Sequence, residues 1–398
     1  MSDQSLMNTY GRQPISFERG NGIWLFDNNG NRYLDAISSI AVCGLGHCHP
    51  AITKAMTEQA NKLVHCSNLY HIPEQQVLAN SLTRISGMSQ CFFANSGAEA
   101  NEAAIKLARL YGHKAGIIEP KIIVMEGSFH GRTIATLSAT ANRKVQAGFE
   151  PLLKGFIRTP LNDISTIEHI AASSNEVVAV MLEPVQGEGG IRLADKNYLQ
   201  ALRKICDNNN WLLILDEVQT GNGRTGSYFA YQQLGIAPDI VTTAKGLGNG
   251  FPIGACLATG QAENVFTPGT HGSTFGGNPL ACKVASAVVD TIVDNNLPAR
   301  AAALGKRILD DLNKALSPTS YVKQIRGLGL MIGIEMVNPC PELVPLAKTH
   351  GLLVNVTAER VIRLLPPLIL TDQEADFLVS SISRLIKIYA GDDRKSPR

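Results

Sequence analysis

The sequence predicts an α/β fold built on a mostly parallel sheet with helices on both sides. Two apolar runs carry that prediction, WLLIL at 211–215 and DIVTTA at 239–244. Each is short, continuous and unalternating, as a strand buried on both faces must be. The third observation is the order of segments after Cys91. CFFA, KIIVM, EVVAVMLEPV, LLILDE and DIVTTAK alternate with helical stretches such as 97–112 and YLQALRKICDNN. In an open sheet of this kind the ligand crevice lies beyond the carboxyl ends of the strands. Asp216 follows one run and Lys245 the other, so a carboxylate and an amine are expected at one edge.

Upstream, NGIWLFDNNGNRYLDAIS alternates apolar and polar residues on either side of Asn-Asn-Gly, which predicts a hairpin in a small antiparallel piece over 15–50. Amphipathic helices are expected between 51 and 85 (AITKAMTEQANKLV, EQQVLANSLTRI). Beyond about 281 the helical stretch ACKVASAVVDTIVDNN leads into further helices and strands (RAAALGKRILDDLNKAL, GLMIGIEMV, GLLVNVT, VIRLLPPL), and the terminal GDDRKSPR reads as disordered. A chain of 398 residues exceeds what one core usually holds, so two domains are expected.

Composition bounds the function. With 44% apolar and 18% charged residues and a net charge of +2, the chain reads as an ordinary globular protein with no nucleic-acid or membrane partner. The polar start MSDQSLMNTYGRQ lacks the apolar region of a signal peptide, and no run reaches the length of a membrane span. The eight cysteines are scattered without a C-x-x-C pair, which suggests reduced thiols and a cytoplasmic location. His47-Cys48-His49 matches no usual zinc spacing and reads as a turn, so no metal is expected.

The chemistry converges on Lys245. An amine buried in an apolar site loses its charge readily, and a neutral amine is what Schiff-base chemistry with an aldehyde requires. Pyridoxal 5'-phosphate suits the pair, because its pyridine nitrogen needs a carboxylate such as Asp216 to stay protonated. Read singly, the two residues are equally a strand-end acid and a surface lysine; placed together they favour the cofactor. In FFANSGAEANEAAIKLAR, Ser96 and Glu99 have capping-box spacing, and Gly97 and Ala98 would offer free N–H groups to a phosphate or simply begin a capped helix. Phe129 and Arg132 in MEGSFHGRT suit a flat ring and a carboxylate, or a core and a surface position. Glu183 ends the strand of LEPVQGEGG, and Glu188 sits in its glycine-rich loop. Ser273 and Thr274 in HGSTFGGNPLA are hydroxyl donors on another such loop. Gly221, Gly223 and Gly226 satisfy G-x-G-x-x-G, but Asp216, Glu217, Val218 and Gln219 intervene after the preceding strand, where a dinucleotide fingerprint follows at once.

NSGAEANEAAIKLAR, SFHGR, EPVQGEGG, LDEVQTGNGRTG, AKGLGNGFPIGA and HGSTFGGNPLA, in this order and at these separations, resemble the class III pyridoxal-phosphate aminotransferases over roughly 15–388. Within that class the similarity is greatest to the branch acting on N-acetylornithine. The resemblance implies the fold-type I, aspartate-aminotransferase-like architecture: a mainly parallel large domain at 51–290 and a smaller α+β domain from segments 1–50 and 291–398. It also implies a homodimer with shared active sites. It assigns Lys245 to the covalent attachment of the cofactor and Asp216 to the pyridinium nitrogen. Gly97 and Ala98 would bind the phosphate, Phe129 and Val218 the ring faces, and Gln219 the ring hydroxyl. Thr274 would reach the phosphate of the neighbouring subunit's cofactor, while Arg132 and Ser273 contact the acylated amino acid. Glu188 and Arg363 would form a pair that opens for 2-oxoglutarate, with Gly187, Gly189 and Gly190 letting the Glu188 loop swing away. Ile40 stands where enzymes of free ornithine carry a tyrosine, which favours an acylated donor. Succinylornithine, succinyl-diaminopimelate, ornithine and 4-aminobutyrate remain alternative donors, as does another reaction of the same cofactor.

Overall fold

The computed structural model describes residues 5–316 and 319–392. From 393 on, the expected disorder of the tail falls outside them. The large sheet has seven strands in the spatial order Gln90–Ala94, Gly254–Ala258, Ile240–Thr243, Leu212–Asp216, Val177–Leu182, Lys121–Met125 and Phe156–Thr159. Every adjacent pair is parallel except the two made by Gly254–Ala258, which runs against both neighbours. Its continuous apolar strands are buried on both faces. Leu213 and Leu215 belong to one hydrophobic cluster, Leu212 and Ile214 to another, and none of the four has exposed surface. Burying one such side chain stabilises the fold by about 1.5–3 kcal/mol, so a polar residue anywhere in this run is costly.

Two strands of this sheet are absent from the sequence reading. Phe156–Thr159 is a four-residue edge strand, mostly half-exposed, and gives little pattern. Gly254–Ala258 is glycine- and alanine-rich, a composition with low strand propensity. The smallness has a cause: a Cβ at Gly254 would collide with the carbonyl of Ser96, where the chain turns into the helix Gly97–Lys114.

Both chain ends meet beside this sheet. The expected hairpin forms from Trp24–Asp27 and Arg32–Asp35, with Phe17–Asn21 added on one side and Leu352–Leu353 on the other. Asp27 sets the turn, its Oδ1 accepting the N–H of Asn29 and Asn31 at 2.9 Å. One residue beyond Leu353 the chain changes sheets, and Asn355–Thr357 pairs with Val361–Leu364 in a second four-stranded sheet with Val322–Leu328 and Met331–Met336. Helix Leu297–Leu316 packs on it, and helix Asp372–Ala390 packs on that helix. No helix among the described residues is long and apolar enough to cross a membrane.

The N-terminal segment reaches the sheet edge through an unusual turn. Ser38, Ser39, Ile40 and Ala41 all lie in the left-handed region, with φ of 44, 53, 65 and 62°. Each costs about 1–2 kcal/mol, so the turn exists only because its surroundings hold it. Ser38 Oγ donates to Leu365 O at 2.6 Å, and Leu365 N donates to Ala36 O at 2.7 Å. Leu45 N donates to Asn249 Oδ1 at 2.7 Å, in the loop that follows Lys245.

His47 is part of the same anchorage; it lies 2.9 Å from the buried Asp35 carboxylate. Burial opposes a charge on His47, but the hydrogen bonds of Asp35 and Cys43 outweigh it and lift the imidazole from 6.5 to about 10. A folded value above the unfolded one means stabilisation that is complete below about pH 6.5 and is lost as pH rises through about 10. His47→Asn is therefore expected to lower the unfolding free energy by about 2–4 kcal/mol near pH 6. Denaturant titrations across pH should show the gap to wild type closing near pH 10; a constant gap would mean that the charge contributes nothing.

Candidate active site

The parallel register of Leu212–Asp216 with Ile240–Thr243 pairs Asp216 with Thr242, three residues before Lys245. Asp216 and Lys245 do emerge at one edge, and both line a cavity of about 250 Å³. A space of that size takes one substituted ring and not a dinucleotide. The G-x-G-x-x-G segment does structural work elsewhere. Asn222 Nδ2 donates to Ala244 O at 3.1 Å, and the buried Arg224 donates to the carbonyls of Leu330 and Pro366.

Asp216 is held on both oxygens. Oδ2 accepts from His130 Nδ1 at 2.7 Å and from Asn101 Nδ2 at 2.8 Å, and Oδ1 accepts from Val218 N at 3.0 Å. Asn101 is fixed in turn by Thr242 Oγ1, which donates to its Oδ1 at 2.6 Å. Helix, strand and loop thus converge on one carboxylate. Burial opposes a charge on His130, yet the hydrogen bond and charge of Asp216, with Glu183 behind, hold the imidazole above its ordinary range. Sequence reasoning misses His130 and Asn101. The available signals are His130 directly after Phe129, and Asn101 one helical turn beyond Gly97, on the face turned to the sheet.

Lys245 Nζ has no hydrogen-bond or ion-pair partner among the described residues. Burial, and then the charge of Arg363, hold its amine below the usual lysine range, against the opposing pull of Glu188, Asp216 and Glu183. Its backbone is left-handed, φ 44°, a strained conformation of the kind that concentrates at working sites. Asn222 and the turn bond from Leu247 N to Ala244 O, 2.9 Å, hold that geometry.

Gly97, Ala98, Phe129, Arg132 and Val218 line the same cavity. Ser96 caps the helix, its Oγ accepting Glu99 N at 3.2 Å, while the Glu99 carboxylate returns to Asn95 N where a capping box would use Ser96 N. The N–H groups of Gly97 and Ala98 have no acceptor among the described residues. A Cβ on Gly97 would stand 2.6 Å from Val218 Cγ1, so the glycine keeps this corner open. The Arg132 guanidinium lies 5.7 Å from the Phe129 ring centroid and is exposed.

Arg363 has no exposed surface. Nη1 donates to Glu188 Oε1 at 2.6 Å and to Gln219 Oε1 at 3.2 Å, and Nε donates to Asn355 Oδ1 at 3.2 Å. Nη2 is buried without a partner. The expected pair is present, but the glycines around Glu188 do not make its loop free to swing. Gly187 N donates to Glu183 Oε2 at 3.0 Å, Glu188 O accepts Thr357 Oγ1 at 2.5 Å, and Ile191 O accepts Arg326 Nε at 2.8 Å. A Cβ on Gly187 would strike the Gln219 amide, and one on Gly189 would lie 2.7 Å from Gly127 O. These glycines permit close packing. The Glu188 side chain, 36% exposed, is held by its ion pair with Arg363.

Ser273 and Thr274 are not brought to this cavity. They line a separate one of about 360 Å³ with Asn95, Glu99 and His271, where Ser273 Oγ accepts Gly276 N at 2.9 Å.

Pyridoxal phosphate fits what the cavity presents. Two unused N–H groups at a helix start suit a phosphate, a lysine nitrogen without a partner suits an aldehyde, and a fixed carboxylate suits a ring nitrogen. Gln219 Nε2, with no protein partner among the described residues, is a further donor for a ring substituent.

Comparison with known proteins agrees. The family described as Aminotransferase class-III matches residues 6–386. The acetylornithine aminotransferase of Nitrosomonas europaea is 57% identical over 381 residues, 96% of this chain and 97% of that protein. A crystal structure of Toxoplasma gondii ornithine aminotransferase, with pyridoxal phosphate at partial occupancy, superposes with a TM-score of 0.94 at 32% identity, covering 99% of this chain and 94% of that one. The acetylornithine aminotransferase of Elizabethkingia anophelis gives 0.86 at 34% identity, covering 96% and 95%. In fold, cofactor and family alike, the chain belongs to the class III pyridoxal-phosphate-dependent aminotransferases, of fold type I.

Proposed function

We propose that this enzyme transfers the terminal amino group of N2-acetyl-L-ornithine to 2-oxoglutarate, giving N-acetyl-L-glutamate 5-semialdehyde and L-glutamate, as a cytoplasmic step of arginine biosynthesis. The observation that carries the reading is the Glu188–Arg363 pair beside an unpartnered Lys245. A terminal amine brings no carboxylate next to its reacting carbon, so Arg363 must then be neutralised from within, by Glu188. 2-Oxoglutarate does bring one, and Arg363 can take it through the two-pronged contact that guanidinium geometry favours, with Nη2 already free. Breaking a buried ion pair typically costs about 3–5 kcal/mol, so Glu188 can turn out only as the substrate carboxylate replaces it.

The other residues follow in role. Gly97 and Ala98 hold the phosphate, Phe129 and Val218 the ring, Gln219 the ring hydroxyl. When bound, pyridoxal phosphate supplies an aldehyde that exchanges amines and a protonated ring that draws electrons from the carbon losing its proton. Asp216 keeps the ring nitrogen protonated, and His130 and Asn101 keep Asp216 in place. Lys245 Nζ, its amine held below the usual lysine range by burial, is placed to take the proton from the substrate carbon, and positioned proton transfer of this kind is worth about 10²–10⁴-fold in rate. Arg132, exposed at the mouth, takes the substrate's distal carboxylate.

We assign the working form to a homodimer, in which Thr274 of a second copy reaches the phosphate and Ser273 joins Arg132. This assignment is supported by the separation of Ser273 and Thr274 from Lys245 within one chain. A groove of about 770 Å³ beside Tyr70 and Gln75, with Leu69, Tyr70 and Phe275 exposed nearby, offers the apolar surface a second copy would cover.

Two experiments test the reading. Lys245→Ala should fold and bind pyridoxal phosphate without covalent attachment. Borohydride followed by mass spectrometry should then fix the cofactor to wild type alone, and turnover should be lost; an active variant would end the assignment. In stopped-flow measurements of the separate half-reactions, Glu188→Gln should impair the one with N-acetylornithine while sparing or improving that with glutamate. Arg363→Ala should spare the amine donor and slow the 2-oxoglutarate half-reaction by about 10²-fold or more. Equal slowing of both halves in both variants rules the exchange out.

A further inference from the structure

The exchange at Arg363 leaves a question of mechanics: what holds the guanidinium when Glu188 turns away? Arg363 is wholly buried on the strand Val361–Leu364, so a slack side chain would lose the alignment that a two-pronged contact needs. The strand ladders give the answer. Asn355 stands directly opposite Arg363 in the antiparallel pair of Asn355–Thr357 with Val361–Leu364, so the two side chains share a face of the sheet. The neighbour on the other flank is Gly333, which has no side chain, and a Cβ there would lie 2.9 Å from Ile191 Cβ. From within this sheet Asn355 alone is positioned to offer Arg363 a polar atom, and it does, Oδ1 accepting from Nε at 3.2 Å.

Two residues on, and therefore on the same face, Thr357 Oγ1 donates to the backbone carbonyl of Glu188. One three-residue strand thus grips both halves of the ion pair, the side chain of Arg363 and the main chain of Glu188. Gln219 Oε1 supplies the remaining fixed acceptor, on Nη1. When the Glu188 carboxylate departs, Nε stays on Asn355 and Nη1 on Gln219. Nη2, with the second N–H of Nη1, is left without a protein partner for an incoming carboxylate.

We propose that Asn355 is a positioning residue for the acceptor half-reaction: it fixes Arg363 in its carboxylate-receiving pose while Glu188 is withdrawn. The proposal rests on the function proposed above and adds to it a residue specific to one half of the cycle. With Glu188 in place Arg363 is held strongly enough without Asn355, and the donor half-reaction does not need it. Without Glu188, losing Asn355 leaves Nε buried and unsatisfied and the fork free to rotate.

The test uses the holoenzyme of Asn355→Leu, which keeps the volume and removes the acceptor, and of Asn355→Ser, still polar but too short to reach Nε. In both, KM for 2-oxoglutarate should rise roughly tenfold or more, the range expected for losing a hydrogen bond to a charged group. The N-acetylornithine half-reaction should stay within about twofold of wild type. Calorimetric titration of glutarate, an unreactive dicarboxylate, into the pyridoxamine form should show the same loss of affinity. A merely structural role would slow both halves together; that outcome, or no change in either half, overturns the proposal. Arg363→Ala run in parallel separates the two failures. If it too spares 2-oxoglutarate, the function proposed for Arg363 is wrong, whereas if it behaves as expected while the Asn355 variants match wild type, only the bracket is wrong.

Discussion

A guanidinium sealed from solvent must be compensated at every moment, and much of this site is arranged around that requirement at Arg363. The charge is met by Glu188, by Gln219 and by Asn355, and one of its nitrogens is left without a partner. In water such an arginine would bind a carboxylate weakly. Here the low local dielectric makes the internal pair with Glu188 strong. The same arginine places a positive charge near Lys245 and, after burial itself, helps to hold its amine below the usual lysine range.

Asp216 shows the complementary arrangement. Its carboxylate is fixed from a helix through Asn101, from a loop through His130 and from its own following turn through Val218. Three elements must be correctly folded before the acid is aimed. Glu183, with its carboxyl raised to about 7, extends the network. Burial dominates that rise, the charge of His130 opposes it and Asp216 adds to it. Its oxygens accept the N–H groups of Phe129 and Gly187, at 2.9 and 3.0 Å. That carboxyl joins the loop of Phe129 to the loop of Glu188, so two walls of the cavity are set from one anchor.

Glycine does different work from what the sequence suggests. A run such as Gly187-Glu188-Gly189-Gly190 reads as a hinge, yet the chain there is tied to Glu183, Thr357 and Arg326, and its first and third positions lack room for a Cβ. The carboxylate of Glu188 is the part of this run that reaches solvent, 36% exposed.

By itself the sequence determined the buried parallel strands, because unbroken apolar runs such as WLLIL have no other stable place. It also determined the convergence of Asp216 and Lys245, because parallel strands end at one edge. The motif set was specific enough to identify the family. Gly254–Ala258 stayed hidden, since its small residues answer to the approach of Ser96 and carry no strand signal. His130, Asn101 and Asn355 stayed hidden for a related reason. Each acts by standing next to something distant in the chain: Asp216 is 86 residues from His130 and 115 from Asn101. Asn355 lies only eight residues from Arg363, but a cross-strand partner is fixed by turn length and register, which no local pattern in GLLVNVTAERVIRL declares. Residue types and periodicity settle what a segment buries; which polar atoms then meet depends on how the packed elements are aligned, and that only the tertiary structure decided.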